Sequence, residues 1–400
     1  MNPLFLSGFG ISLNVDRARL IIKDGHLAPD TTPSLHEIQP RRAPFDSIVI
    51  DSQSGHLSIG AMKWLMRHGI PLFILDYNGS ILSSVLPKEP VTGHLKKAQL
   101  EAYQNPQRRV YIAKKIVEAK LERTRDLVKW LSLRYEIEDK DRKQLDAEIN
   151  RLGEANDLKG VLFVEGRTAD VYWRIFQRLA PKKYGFLSRM HESHQMNSTD
   201  QVNTLLNYGY ACLESRCRAA INTVGLEPSI GFLHEITQPK YPLVYDLQEP
   251  FRWIVDLTVL SCLENKIFSK KDFFLTDNYV LRLKPPAIKK LLEQLRLHLN
   301  SRVRYKGKNH SWDTILQLKT QELARHLLGR TEGLDFTEPV LESEASPDEL
   351  RKKVLALTVP EARGIGVNKS TLWYLQKRAA ARKTLRSYAK VKNKLRFQSI

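Results

Sequence analysis

Residues 203–256, NTLLNYGYACLESRCRAAINTVGLEPSIGFLHEITQPKYPLVYDLQEPFRWIVD, decide how the rest of this 400-residue chain is interpreted. Apolar residues recur at helical spacing from the start of the stretch to Cys217, and Gly225 and Pro228 then end that pattern. The segment after the break is polar and carries His234. The sequence therefore predicts a long helix, a Gly-rich break and a loop on which an imidazole lies.

A second helix is predicted at the end of the same stretch, and it opens with Asp246 and Glu249. Residues three apart share one face of a helix, so we expect the two carboxylates to converge on a common point. A neutral imidazole from His234 gathered with two carboxylates is typical of a divalent-metal site. Taken singly, His234 could belong to an ordinary surface loop, and Asp246 could simply cap the helix.

The proposed ligand set needs an anchor from elsewhere, and the best candidate is Glu165 in GVLFVEGRTADVYWRIF. This acid lies between an apolar run and Gly166, where the pattern predicts the start of an amphipathic helix through Val171 and Ile175. A Glu before a Gly is weak evidence alone. Its combination with residues 203–256 makes the prediction specific.

Taken together, the two stretches resemble the integrase and endonuclease of CRISPR adaptation. The matching residues are Glu165, Gly166, Ala169, Tyr172 and Trp173, then N..L.YGY..L over 203–213, GL.P.IGFLH over 225–234 and DL.EPFR..VD over 246–256. The blocks keep their order and spacing over roughly ninety residues, which argues against chance agreement. The resemblance implies that Glu165, His234 and Glu249 are the catalytic metal ligands, with Asp246 beside them. Over 189–202 the match is looser, so it gives Arg189 no role.

Such a ligand set suits phosphodiester chemistry, in which a metal ion activates the nucleophile and neutralises charge on the phosphate. The oxygen-rich set fits Mg²⁺ or Mn²⁺, and the imidazole nitrogen favours Mn²⁺. Water as nucleophile would give a nuclease, on DNA or on RNA, and a DNA 3′-hydroxyl would give strand transfer. The residues leave these alternatives open. The resemblance implies strand transfer, because the family joins 3′-hydroxyl ends to target DNA.

The charge of the chain points to a polyanion as its partner. The 63 Lys and Arg residues exceed the 44 Asp and Glu residues, giving a net charge of +19, so double-stranded DNA is the first candidate. No apolar run approaches the roughly 20 residues that span a bilayer, and the N-terminus lacks the basic start of a signal peptide. We therefore expect no membrane association and a cytoplasmic location. The three cysteines show no C-x-x-C pairing and are expected to be buried apolar residues: Cys212, Cys217 and Cys262.

The predicted fold class is α+β, with three domains. Residues 1–87 contain β-branched runs broken by turn signals, with one helix predicted over 59–68, and indicate a small β-rich domain. The family resemblance implies that this domain pairs two subunits, so we expect a homodimer or a higher homo-oligomer on DNA. Residues 93–335 are predicted to form a larger all-α catalytic domain, residues 336–346 an acidic linker, and residues 347–400 a helix-turn-helix domain.

Basic residues within the helical part are candidates for contacts with backbone phosphates. Lys114 and Lys115 lie between apolar positions of a long predicted helix, and a solvated helix face is the ordinary explanation for such charges. The excess of base over acid favours phosphate contacts here. Arg252 follows Glu249 by one turn, so it is predicted either to bind phosphate or to hold a carboxylate in place.

The last part of the chain carries more than half of the net charge. Residues 345–400 hold 14 Lys and Arg against 3 Asp and Glu. Ala362, Gly366, Val367 and Leu372 match the spacing of a helix-turn-helix core. The second helix would bring toward the DNA groove Asn368, Lys369, Thr371, Trp373 and Tyr374, and Ser370 is expected either to cap this helix or to touch a phosphate. The alternative is a basic helical tail that only adds nonspecific affinity.

The part that resembles the CRISPR integrase ends near residue 335. A helix-turn-helix behind it resembles the casposases, transposon-borne relatives that integrate their own element. The leading hypothesis is therefore a casposase-like integrase. One alternative is a CRISPR adaptation integrase that acts with the second adaptation protein, and another is a DNA-binding regulator without catalysis.

Overall fold

A computed structural model describes residues 2–26, 34–76, 79–132, 135, 137–189, 200–236, 241–276, 280–336, 354–364 and 367–380. The chain divides into two compact units: the first consists of Met1–Arg125 and Lys143–Pro339, and the second of Asp126–Arg142 and Val340–Ile400. Within the described ranges, no helix has the length and apolar character needed to cross a lipid bilayer. The predicted linker at 336–346 lies outside these ranges except for its first residue. Two histidines three apart, His191 and His194, which the sequence gives no role, also lie outside them.

The first part of unit 1 is rich in strands, as predicted. Its elements are β1 (Pro3–Ser7), β2 (Ile11–Asp16), β3 (Arg19–Lys23), β4 (Leu35–Ile38), β5 (Ser47–Asp51), β6 (Gly55–Leu57), α1 (Ile59–Arg67), β7 (Leu72–Leu75) and β8 (Ile81–Val85). They form two four-stranded sheets, ordered β1-β5-β7-β8 and β4-β3-β2-β6. The helix expected over 59–68 is confirmed.

Local sequence explains this β-rich region. Strands β2 and β3 are antiparallel, and the chain reverses between them through Arg17 and Ala18, both at positive φ, as the hairpin twist requires. Alternate residues of both sheets are buried in one apolar core that includes Leu20, Ile48 and Leu65. Burial of one face of each sheet therefore sets the strand register.

The rest of unit 1 is mainly helical. Its helices are α2 (Gly93–Gln104), α3 (Pro106–Ser132, which continues into unit 2), α4 (Asp139–Asn150, which begins in unit 2), α5 (Leu158–Leu179), α6 (Gln201–Val224), α7 (Pro242–Gln248), α8 (Arg252–Glu264), α9 (Pro285–Asn300) and α10 (Trp312–Leu327). Two short hairpins, which the sequence did not predict, interrupt this part: β9 (Phe273–Leu275) with β10 (Leu281–Leu283), and β11 (Arg302–Tyr305) with β12 (Lys308–Ser311). The α+β fold class is confirmed.

Helix α6 is the central element of the helical part, because α7, α8, α9 and α10 all pack on it. Asp200 caps its first turn, and Gly225 ends it in the left-handed conformation, with φ at 83°, where the sequence predicted the break. Cys212 and Cys217 lie buried within it, and Cys262 lies buried in α8; all three are free thiols, as expected. On this helix Arg216 forms a buried ion pair with Asp313, with Arg216 Nε 2.8 Å from Asp313 Oδ1.

Two predicted helix boundaries were wrong. Glu165 does not start a helix: α5 begins at Leu158, because Asp157 caps it and the apolar run before Glu165 is itself helical. Asp246 and Glu249 do not share one regular helix, since α7 ends at Gln248 and residues Glu249–Phe251 form a 3₁₀ turn. Pro250 lacks the backbone N–H that would bond the carbonyl of Asp246, which explains the end of α7.

The close packing of α6 on α8 allows a test of the fold. A Cβ added at Gly209 would lie 2.5 Å from Val255 Cγ1, whereas one at Gly166 on α5 would meet nothing within 4 Å. We expect Gly209→Ala to lower the free energy of unfolding by about 1–2 kcal/mol, since overpacking exceeds the gain in helix propensity. Gly166→Ala should raise it by roughly 0.5–1 kcal/mol. Denaturant titration measures both, and a Gly209→Ala protein as stable as the parent would contradict the described packing.

The described tail residues of unit 2 form a small helical core. Helix α11 (Val359–Gly364) and helix α12 (Lys369–Ala380) follow each other closely. The predicted core residues Ala362, Val367 and Leu372 are buried together, and Val354, Leu375 and Ala379 join them. The predicted helix pair is thereby confirmed, while Gly366 lies outside the described residues.

Candidate active site

Three of the predicted metal ligands line one open cavity of about 810 Å³ in unit 1. Glu165 comes from the middle of α5, His234 from the loop between α6 and α7, and Glu249 from the turn between α7 and α8. The fold therefore brings together, from three separate segments, an imidazole and two carboxylates.

The ammonium group of Lys120 on α3 lies between the two glutamates. Its Nζ donates to Glu165 Oε1 and lies 2.6 Å from Glu249 Oε2. The Glu249 side chain is only 5% exposed, and its Oε2 makes this ion pair without a well-directed hydrogen bond. A buried carboxylate oxygen in this position needs a positive charge beside it. The point between the two glutamates is thus electrostatically a cation site.

Arg252 holds the other oxygen of Glu249. Its Nη1 donates to Glu249 Oε1 over 3.0 Å, and its guanidinium lies 4.4 Å from the centroid of the Tyr210 ring. Burial by itself raises the pKa of Glu249, but the charges of Arg252 and Lys120 outweigh burial and lower the pKa. Of the two roles predicted for Arg252, these contacts favour that of holding a carboxylate.

Asp246 lies behind His234 and is fully buried. Its Oδ1 accepts from the backbone N–H of His234 over 3.1 Å and from His234 Nδ1 over 2.7 Å. Its Oδ2 accepts from the backbone N–H groups of Phe232 and Leu233. A carboxylate can only accept, so Nδ1 carries the proton and Nε2 keeps its lone pair for a metal. Asp246 therefore differs from the prediction: its oxygens already serve four donors, which leaves it as a support for His234.

The pKa of His234 is consistent with a carboxylate, that of Asp246, beside its Nδ1. Burial opposes the charged imidazole, yet the hydrogen bond and the charge of Asp246 outweigh burial and raise the pKa of His234. A carboxylate on the far nitrogen also makes an imidazole a stronger metal ligand.

The fit of a divalent cation depends on Lys120. Across the described ranges, no group of three or more His, Cys, Asp or Glu side chains is already arranged to hold a metal ion. The Lys120 ammonium stands between Glu165 and Glu249, where it takes the place of a cation. The chemistry of the donors, two carboxylates and an imidazole nitrogen, fits Mg²⁺ or Mn²⁺ once the ammonium moves away.

The predicted phosphate contacts of Lys114 and Lys115 do not agree with the structure. Lys114 Nζ donates to the carbonyl oxygens of Gly153 and Ala155, at 2.9 and 3.1 Å, and thereby ties α3 to the segment before α5. Lys115 Nζ pairs with Glu118 at 2.7 Å on the same helix. Both ammonium groups therefore have partners in their own chain, Lys114 in another segment and Lys115 on the same helix.

In unit 2, the residues predicted to touch DNA lie at the start of α12. Asn368 Oδ1 accepts from the backbone N–H of Thr371 over 2.8 Å and from Ser370 Oγ over 2.9 Å, so Asn368 caps the helix. Lys369 is exposed on the first turn, and Trp373 is 62% exposed one turn further on. The cap function expected of Ser370 thus belongs to Asn368.

Lys120 was not among the residues predicted for the site. Its position nevertheless contained a signal: it follows Ile116 by four residues and Val117 by three, so it lies on the apolar face of α3. A lysine on such a face usually needs a buried partner. The identity of that partner depends on the fold and has no local signal.

Comparison with known proteins gives consistent matches. The model of the family described as "CRISPR associated protein Cas1" matches residues 4–296. A relative named CRISPR-associated endonuclease Cas1 1, from Archaeoglobus fulgidus, is 28% identical over 343 residues, which cover 82% of this chain and 96% of the relative.

Solved structures match as well. A structure titled "Casposase bound to integration product" has a TM-score of 0.82 and 40% sequence identity, and the match covers 89% of this chain and 99% of that one. A Cas1 protein from Thermotoga maritima has a TM-score of 0.69 at 20% identity, and the match covers 84% of this chain and 100% of that one. At this identity the match supports the fold alone.

Proposed function

This chain belongs to the Cas1 family, in its casposase form, and from that membership we propose that it is a metal-dependent DNA integrase. It joins a DNA 3′-hydroxyl end to target DNA by strand transfer, and it also cuts DNA when water replaces the hydroxyl. The observation that carries the proposal is the convergence of Glu165, His234 and Glu249 on one cavity beside a cation position.

In this proposal each residue of the cavity has a separate task. Glu165, His234 Nε2 and Glu249 would hold Mg²⁺ or Mn²⁺, and the bound ion would activate the attacking hydroxyl and offset charge on the phosphate. Arg252 keeps Glu249 ionised and fixes the direction of its carboxylate. Asp246 fixes the imidazole of His234. Lys120 neutralises the two glutamates before a metal ion binds and then becomes available to the DNA phosphate.

The net charge of +19 favours a polyanionic partner, and DNA is the partner in this proposal. The neighbour at 40% identity is a casposase bound to an integration product, and we assign the same class of substrate to this chain. We propose that α12 contacts DNA through Lys369 and Trp373, with Asn368 and Ser370 shaping the first turn. The chain acts as a homodimer or a larger homo-oligomer on DNA.

The role in a mobile element is distinguished from a CRISPR role by a strand-transfer assay. The full chain is incubated with Mn²⁺, a plasmid and a short duplex that carries the terminal repeat of the element. Joining without any second protein is the result expected for a casposase. A strict need for the second adaptation protein would instead favour the CRISPR integrase, and that alternative is supported by the relatives named Cas1 endonucleases.

Lys120→Met tests the proposed competition between the ammonium and the metal ion. Because the variant removes the cation between Glu165 and Glu249, we expect the metal-free protein to unfold at lower temperature. Mn²⁺ should bind about tenfold more tightly, which corresponds to ~1.4 kcal/mol, and should stabilise the variant more than the parent. Isothermal titration calorimetry and thermal unfolding with and without Mn²⁺ measure both effects.

The control for Lys120→Met is Lys96→Met, which removes a comparable lysine that pairs with Glu89 and Glu227 outside the cavity. It should leave Mn²⁺ affinity unchanged. Equal Mn²⁺ affinity in Lys120→Met and the parent would contradict the competition.

A further inference from the structure

A second charged cluster lies in the same cavity, beside the proposed metal ligands. The Tyr210 ring has guanidinium groups near it from two arginines, Arg252 at 4.4 Å and Arg189 at 5.2 Å from its centroid. Both arginines line the cavity. Two guanidinium groups beside one ring repel each other, and a nearby anion offsets this repulsion.

Arg252 has such compensation, because Glu249 accepts its Nη1 hydrogen bond. Arg189 differs: its Nη1 donates to two neutral amides, Asn203 Oδ1 at 2.7 Å and Asn207 Oδ1 at 3.0 Å. Its Nε is buried and has no hydrogen-bond partner among the described residues. The two amides therefore fix the guanidinium in place without neutralising it.

The nearby carboxylate of Asp256 does not neutralise the charge of Arg189. Its two oxygens accept from the hydroxyl groups of Tyr172, at 2.7 Å, and Tyr210, and the whole group is buried. Burial, together with the charge of Arg252, lowers the pKa of Arg189, which shows that its environment disfavours a lone positive charge. The cluster thus holds a positive charge at the cavity, and within the described part of the chain the acids that act on it, Asp256 and Asp200, form no ion pair with it.

We infer that Arg189, with Arg252 beside it, binds a backbone phosphate of the DNA strand that enters the cavity. A guanidinium with free N–H groups matches the oxygens of a phosphodiester. The site rests on the proposed integrase function and adds to it a residue that positions the strand next to the metal ligands. Arg189 is a positioning residue, since no reacting bond needs to involve it.

The first measurement is the salt dependence of DNA binding by the full chain, without divalent metal, on a duplex with a recessed 3′ end. Loss of one phosphate contact in Arg189→Gln should reduce the slope of log K against log salt by about 1 and weaken binding roughly tenfold. Arg189→Lys, which keeps the charge, should retain the slope of the parent. A purely structural role would lower thermal stability and leave the slope unchanged.

The second measurement locates the phosphate. Single methylphosphonates, which remove one charge each, are placed in turn at the phosphates nearest the 3′ end. In the parent, one position should weaken binding about tenfold, and in Arg189→Gln that same position should have no further effect. The matched control Arg296→Gln removes an arginine that Glu293 already neutralises on α9, and its profile should equal that of the parent.

Joining by the parent with Mn²⁺ is measured alongside. If the parent fails to join DNA, the proposed integrase function is wrong. If the parent joins and Arg189→Gln keeps both its salt slope and its methylphosphonate profile, only the phosphate site at Arg189 is overturned. Should Arg189→Gln not fold, the methylphosphonate profile of Arg189→Lys, expected to keep a weaker effect at the same position, decides the question.

Discussion

Glu165→Gln is expected to slow DNA strand joining by about a thousandfold or more while DNA affinity stays close to that of the parent. Glu165 contributes one of two carboxylates to the proposed metal site, and an amide cannot supply its charge. Loss of several kcal/mol of transition-state stabilisation corresponds to a factor of this size. Rates of product formation with saturating Mn²⁺ give the effect, and gel-shift titration gives the affinity.

The matched control is Glu227→Gln. Its side chain is 31% exposed against 23% for Glu165, and it also pairs with a lysine, Lys96. Loss of a half-buried Glu–Lys pair is therefore common to both variants, and only one of the two pairs lies in the cavity. Glu227→Gln should join DNA at the rate of the parent. Joining by Glu165→Gln within tenfold of that rate would remove Glu165 from the metal site.

Asp246→Asn is expected to have the second large effect, on both stability and metal binding. The carboxylate accepts from three backbone N–H groups and from His234 Nδ1. An amide must turn its own N–H₂ toward some of these donors, which should lower the free energy of unfolding by about 2–3 kcal/mol. Release of the imidazole should weaken Mn²⁺ binding by about 10–100-fold.

Asp272→Asn separates these two effects. Asp272 also accepts hydrogen bonds from a backbone N–H and a side chain, both of Ser269, and neither residue lines the cavity. It should lose some stability and keep the Mn²⁺ affinity of the parent. Calorimetric titration compares the two variants, and an unaltered Mn²⁺ affinity in Asp246→Asn would refute the role given to this carboxylate.

Sequence patterns predicted the elements of the fold better than the contacts within the site. The long helix that ends at Gly225 and the burial of Cys217 follow from local spacing and chain stiffness, and the structure confirms both. The helix boundary before Glu165 was wrong, because an apolar run beside an acid has the same local appearance whether it is a strand or a helix.

Contacts within the site depend on segments far apart in the chain. The spacing of Asp246 and Glu249 indicated one shared face, but Pro250 ends the helix and the two carboxylates face different partners. Lys120 precedes Glu165 by 45 residues in the chain, and no local sequence pattern predicts that the two side chains come into contact. The proposed ligands could be named from the resemblance, whereas the residues that contact and neutralise them required the fold.

The most direct test of the account is to locate Mn²⁺ by anomalous X-ray scattering from crystals of the full chain. We expect a peak within about 2.5 Å of Glu165, His234 Nε2 and Glu249, with Lys120 Nζ displaced from between the two glutamates. A peak coordinated elsewhere at saturating Mn²⁺, with the Lys120 bridge intact, would contradict the proposed active site.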